Sequence, residues 1–381
     1  MRRALSAAAL ILLFAVSPSF AESFGVYMIG ANETPAGDAD GVGIADLILR
    51  GTTLQYSVVV YNIEAPTAIH IHPGKRGATG APLIPIATPW TRVAGCPGPG
   101  TPPCAERFVN LGQVEISATN AEALLTRPSD FYLNVHNIPH GPGAVRGQVQ
   151  FARYLPNVGQ TPGAAGSTWF TRFSVLNRSV DIPSQWSIEL IPQSPNGNVS
   201  RFAAAQTAAN PLTLYASSAF PVPSFAGIGT ARVLSDQPLA VTAAVYNGAV
   251  GARGDFGFSS DGIALENARS SGLLIDLTTS SAADVQARTG HRSNIGFFNP
   301  QFFPVEATFR AVGSNGATLG ERLITIPPGA MSQAAVFDLI STVAEADRVR
   351  DSFWVSWTAS APIFVYATVV NNQTGDPELR E

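Results

Sequence analysis

Four of the five histidines in the sequence fall between residues 70 and 140: His70, His72, His136 and His140. The first two lie in Thr67-Ala68-Ile69-His70-Ile71-His72-Pro73-Gly74. Side chains alternate on a strand, so Ile69 and Ile71 take one face, and His70 and His72 the other. Two residues apart on that face is about 6.6–7 Å, close enough for both imidazoles to reach one ion. His136 ends the run Phe131-Tyr132-Leu133-Asn134-Val135-His136, whose alternation puts Phe131, Leu133 and Val135 opposite Tyr132, Asn134 and His136. His140 follows in the loop Asn137-Ile138-Pro139-His140-Gly141-Pro142-Gly143. If these strands are neighbours, three or four imidazoles converge outside the core, a donor set that suits Zn²⁺ or Cu²⁺. The plainer alternative assigns the same histidines to cross-strand packing and hydrogen bonding beside Tyr132 and Asn134. Catalysis would further require an open coordination position and a placed base, and no carboxylate is so placed. The sequence contains no P-loop, GxSxG elbow, HExxH or Rossmann glycine pattern, so no catalytic residue is assigned.

The elements that must carry these residues are strands and turns. The chain has 381 residues with 35 Gly and 29 Pro, and 13% of its residues are charged, about half the usual ~25% of soluble domains. One lysine, a formal charge of −4 and no basic run argue against a nucleic-acid partner. Arg2 and Arg3, an apolar run from Ala8 to Val16 and Ser19-Phe20-Ala21 have the form of a secretory signal peptide over residues 1–21, cleaved near Ala21. That run is short of the ~20 apolar residues a membrane helix needs, and no later segment reaches that length. The product is expected to be secreted, periplasmic or extracellular, with no transmembrane segment in the mature chain. In an oxidising compartment Cys96 and Cys104, which bracket a Pro/Gly-rich loop, are expected to form a disulfide.

Residues 22–154 form a first β unit, with Leu54–Tyr61 as a strand and a short capped helix from Asn120 ahead of the 131–136 strand. Residues 155–167 have linker composition. Beyond them lies an internal repeat. Pro238-Leu-Ala-Val-Thr-Ala-Ala-Val-Tyr-Asn247 matches Pro362-Ile-Phe-Val-Tyr-Ala-Thr-Val-Val-Asn371 at an offset of 124, and residues 171–177 match 293–299 at an offset of 122. Asn196-Gly197 and Asn315-Gly316 mark hairpin turns in each copy. Two related Ig-like β-sandwich units are therefore expected at 168–250 and 291–381, joined by a connecting segment over 251–290. Arg253-Gly254-Asp255 spells an adhesion tripeptide that chance supplies easily, and Asp38 and Asp40 are turn residues rather than a calcium loop.

Residues 24–151 resemble the CHRD domain, a module named after chordin and common in exported bacterial proteins. The landmarks are Gly30-Ala-Asn-Glu33-Thr-Pro35, Gly41, His70-Ile71-His72-Pro73-Gly74, Gly77, Gly80, Tyr132-Leu-Asn134-Val135-His136 and Arg146-Gly147-Gln148. The resemblance implies an extracellular β-sandwich and no established reaction. An insertion around Cys96–Cys104 and Ala144-Val145 before Arg146 depart from the family pattern. The overall expectation is an all-β chain: a CHRD-like antiparallel sandwich followed by two related Ig-like units. Its expected role is non-catalytic binding or surface association, with an extracellular protein, polysaccharide or metal ion as partner and the C-terminal units as spacer or adhesion modules. The alternative is a copper or zinc protein using His70, His72, His136 and His140, with redox chemistry open to it in the copper case.

Overall fold

The computed structural model describes residues 21–87, 89–93, 107–163, 166–194, 202–216, 225–248, 256–344 and 348–381. Of the signal peptide expected over residues 1–21, residues 1–20 lie outside these residues, as do the Cys96–Cys104 loop, Asn196-Gly197 and Arg253-Gly254-Asp255. The chain is all-β, with 60% of residues in strands and 9% helical. The strands before residue 262 link into one curled antiparallel system, and those after it into a second, seven-stranded sheet. No helix of the described residues is long and apolar enough to cross a membrane.

The first unit contains β1 (Ala21–Ile29), β2 (Val42–Arg50), β3 (Thr53–Tyr61), β4 (Pro66–Pro73), β5 (Ile84–Pro85), β6 (Thr91–Val93), β7 (Arg107–Glu115), β8 (Phe131–Asn137) and β9 (Val145–Gln148). One layer runs β6-β7-β3-β2-β1. The other runs β9-β8-β4-β5, and β9 meets β1 through Ile29 and Arg146. Between the layers, Phe24, Leu47, Val58, Ile69, Ile71, Leu133 and Val135 form a closed apolar core. Helix α1 (Ala118–Thr126) starts at Ser117, whose hydroxyl accepts the Asn120 N–H at 3.1 Å, and turns its buried Leu124 to the same core.

The segment Leu155–Pro162, linker-like by composition, continues β10 (Gln150–Pro162). Its start pairs with β1, while most of its length pairs with the strand Gly227–Ser235. Leu155 and Val158 are wholly buried in the core of the following unit; burial and ladder hydrogen bonds thus hold as strand what its Pro and Gly content marked as linker. The 251–290 segment likewise contains strands. Phe256–Asp261 pairs back onto Leu239–Asn247, and Arg269–Thr279 pairs forward onto Arg350–Asn371.

The repeated sequences occupy equivalent strand pairs. Thr171 and Phe173 face Val245 and Ala243 across one antiparallel pair, and Ser293 and Ile295 face Val369 and Ala367 across the other. Residues matched by the repeat thus also pair in the same register. Asn315-Gly316 lies in the turn between Val305–Gly313 and Thr318–Ile326, with Gly316 at φ +82°. Tyr154, Leu234, Phe298, Met331, Phe364 and Tyr366 belong to a cluster where all three parts of the chain meet.

Candidate functional site

The alternation in β4 decides which side chains face outward. Ile69 and Ile71 are fully buried, each worth roughly 1.5–3 kcal/mol on transfer from water. A one-residue slip would expose both and drive two imidazoles into the core. The neighbouring β8 obeys the same rule, with Leu133 and Val135 inside. β4 and β8 are antiparallel partners, with His70 opposite Asn134, His72 opposite Tyr132 and Ala68 opposite His136. The outward face therefore gathers His70, His72 and His136.

Ligand nitrogens of these three residues all lie within 4.8 Å of one another, the one such His/Cys/Asp/Glu group among the described residues. His70 Nδ1 is 3.3 Å from His136 Nε2. His72 Nδ1 lies 2.9 Å from the Gly80 carbonyl, and His136 Nδ1 lies 2.8 Å from the Gly141 carbonyl. A carbonyl only accepts, so both Nδ1 atoms carry the proton; the Nε2 lone pair of His72 is then free, while that of His136 faces His70 Nδ1. His72 Nε2 is buried without a protein hydrogen-bond partner. Burial lowers the pKa of His70, with His136 and His72 acting in the same direction. Burial also lowers that of His72, against the opposing Gly80 hydrogen bond. Neutral imidazoles whose second nitrogen is held by a backbone carbonyl are the form in which histidine binds a transition metal.

His140 stands apart from the other three. Its Nδ1 is 3.2 Å from Asn137 Oδ1 and 3.9 Å from Asp38 Oδ2, so it tethers its own loop to the 38–40 turn.

Loops and long side chains cover the histidines. The His72 ring stacks on Tyr132 with centroids 4.8 Å apart, and Arg146 lies over the other ring contact surface of Tyr132, 3.4 Å from its centroid. Arg146, almost fully buried, donates to the carbonyls of Lys75 and Ala78 at 3.1 and 2.7 Å. Gln148 donates to Gly74 at 3.0 Å. These two residues hold the 74–80 loop, which supplies the carbonyl that orients His72. Beside His70, Asn134 donates to Glu33 Oε2 at 3.3 Å. Burial pushes the Glu33 carboxyl up to about 7, against the opposing Arg146 charge and Thr34 N–H. Gly143, at φ +155°, closes over this pair, where a Cβ would stand 2.3 Å from Glu33 Oε1. Glu33, Asn134 and Arg146 were visible only as sequence landmarks, because their role depends on loops folding back over the strand face.

The result is an outward polar site on a β-sandwich, roofed by loops and built around three imidazoles. Residues 24–149 match the family model of the CHRD domain. Over those residues the chain carries a CHRD domain, which implies a binding or extracellular module. No curated protein shows a significant sequence match to the chain.

Proposed function

We propose that this chain is an exported, non-catalytic binding protein whose CHRD domain holds a copper or zinc ion through His70, His72 and His136. The observation that carries the proposal is the convergence of three imidazole nitrogens within 4.8 Å, with two of the rings anchored by the Gly80 and Gly141 carbonyls. Three nitrogen ligands leave a coordination position for water or for a group on a partner molecule. The group consists of His70, His72 and His136 alone, so the donor set is all nitrogen and favours Cu²⁺ or Zn²⁺ over alkaline-earth ions. The two following β units act as Ig-like spacer or adhesion modules that present the CHRD domain, and cleavage near Ala21 releases the mature chain.

Metal analysis of the protein purified without an affinity tag tests the site. One copper or zinc ion per chain is expected, falling to background in His72→Ala. Metal-free protein whose near-ultraviolet circular dichroism ignores added Cu²⁺ and Zn²⁺ would overturn the metal assignment.

A further inference from the structure

A second concavity, lined by both polar and apolar side chains, lies far along the chain from the histidines, between the outward face of the last sheet and the edge of the preceding unit. It has a volume of about 220 Å³. On the strand His291–Phe298, Arg292 and Asn294 point out of the sheet because Ser293 and Ile295 point in, the latter into the core. Asn294 is opposite Thr368 and Arg292 opposite Val370 on the neighbouring strand, so the cavity floor presents a guanidinium, an amide and a hydroxyl in a row. Gln333 continues this floor, and Asn157 and Trp169 complete the wall from the other side.

The arginine is short of a counter-charge. Arg292 donates to Asn372 Oδ1 at 2.6 Å, which uses one of its five N–H groups. No carboxylate among the described residues forms an ion pair with it, and the cavity wall contains no acidic side chain. Burial accordingly lowers the Arg292 pKa with no acid to compensate. A guanidinium kept partly from water without an anion is costly unless a ligand supplies one. The other groups have hydrogen-bonding capacity left over. Gln333 Oε1 accepts the Tyr366 hydroxyl at 2.9 Å, leaving its NH₂ free to donate. Asn294 donates to Thr368 Oγ1 at 3.3 Å, leaving the Asn294 oxygen and the Thr368 hydroxyl proton. A guanidinium, several neutral donors and acceptors, and a tryptophan in the wall together fit a ring that bears both hydroxyls and a carboxylate.

We infer that this cavity binds a sugar acid, a uronate, with its carboxylate on Arg292, its hydroxyls on Asn294, Thr368, Gln333 and Asn157, and its ring against Trp169. Aromatic faces bind the apolar face of a ring while amides take its polar rim. The cavity is of the size for one sugar unit, so the natural ligand is either a free uronate or one uronate residue at the end of an acidic polysaccharide. The histidine site plays no part, and the cavity remains if that site is metal-free.

The probe is glucuronate, titrated into the full-length protein at constant ionic strength and followed by calorimetry and tryptophan fluorescence. Saturable binding is expected, with glucose and acetate each at least about tenfold weaker, since each lacks half of the recognised groups. Arg292→Gln should weaken glucuronate at least about tenfold without changing the weak glucose response. Thr368→Val, which keeps side-chain shape and leaves Arg292 in place, should weaken glucuronate severalfold and leave acetate unchanged, and this covers the case in which Arg292→Gln does not fold. Oligouronate binding more tightly than the monomer would place the natural ligand at a polysaccharide end, and equal binding would favour the free acid. Glucose binding as tightly as glucuronate, benzoate binding more tightly than glucuronate, or no saturable response would each overturn the assignment.

Discussion

Asp46→Asn tests whether the CHRD domain is rigidly locked to the unit that follows it. Arg232 reaches from the strand Gly227–Ser235 into the first unit and is 1% exposed. Its Nη2 lies 3.3 Å from Asp46 Oδ1 and donates to the Ala45 carbonyl at 3.1 Å, while Nη1 lies 3.4 Å from Glu189 Oε2. Tyr154 donates to the same Asp46 oxygen at 2.7 Å. Gly25 leaves the space for this guanidinium, because a Cβ there would stand 2.2 Å from Arg232 Nη2. Burial alone would lower the Arg232 pKa, but Asp46, Tyr154 and Glu189 outweigh it and hold the pKa above its ordinary value. The amide of Asp46→Asn keeps the shape and the acceptor for Tyr154 and removes one of two negative charges. Breaking a buried pair costs about 3–5 kcal/mol. The surviving Glu189 reduces that here, so a loss of about 2–3 kcal/mol is expected. Urea unfolding should show it as a lower midpoint at unchanged slope. In a cycle with Arg232→Met, the double variant should lose about 2 kcal/mol less than the sum of the two single losses, because it leaves no uncompensated arginine. A loss under about 0.5 kcal/mol in Asp46→Asn, or simple additivity in the cycle, would refute the buried network as the lock between the units.

Two further outcomes follow from the histidine face. The Glu33 carboxyl rises on folding from 4.5 to about 7, so the folded state holds its proton more tightly than the unfolded chain. Its contribution is fully favourable below pH 4.5 and is lost as pH rises through 7. Glu33→Gln should therefore flatten the stability profile across that window and raise stability above pH 7, by at most about 3 kcal/mol and less where solvent screens the loop; thermal melts at pH 5 and pH 8 that shift equally would contradict this. His140→Ala should leave the metal content of the protein unchanged, since His140 is bonded to Asn137 rather than to the cluster. Elemental analysis showing loss of the ion in that variant would return His140 to the ligand set.

Local periodicity revealed a great deal of this protein. Alternation in Ile69–His72 and Phe131–His136 was enough to say which residues enter the core, because a strand has only two faces and apolar side chains take the dry one. The repeat between residues 238–247 and 362–371 was legible for the same reason, and its two copies pair in matching register. Local composition misled at Leu155–Pro162, where Pro and Gly imply a linker but the strands Gly227–Ser235 and Thr168–Asn177 pair with it and impose a ladder.

Tertiary structure alone decided the rest. Whether β4 and β8 are neighbours is a long-range pairing, and no local propensity encodes it. That pairing places three histidines together and leaves His140 outside, although all four are near one another in sequence or in motif. The Gly80 and Gly141 carbonyls that select the ring tautomers come from loops, as does Gly143, which closes over Glu33. The sequence by itself thus determined an all-β chain with a histidine-bearing outer face. Only the folded chain decided which histidines converge, which lone pairs they present and how Arg232 and Arg292 are buried, because those depend on distances between residues many positions apart.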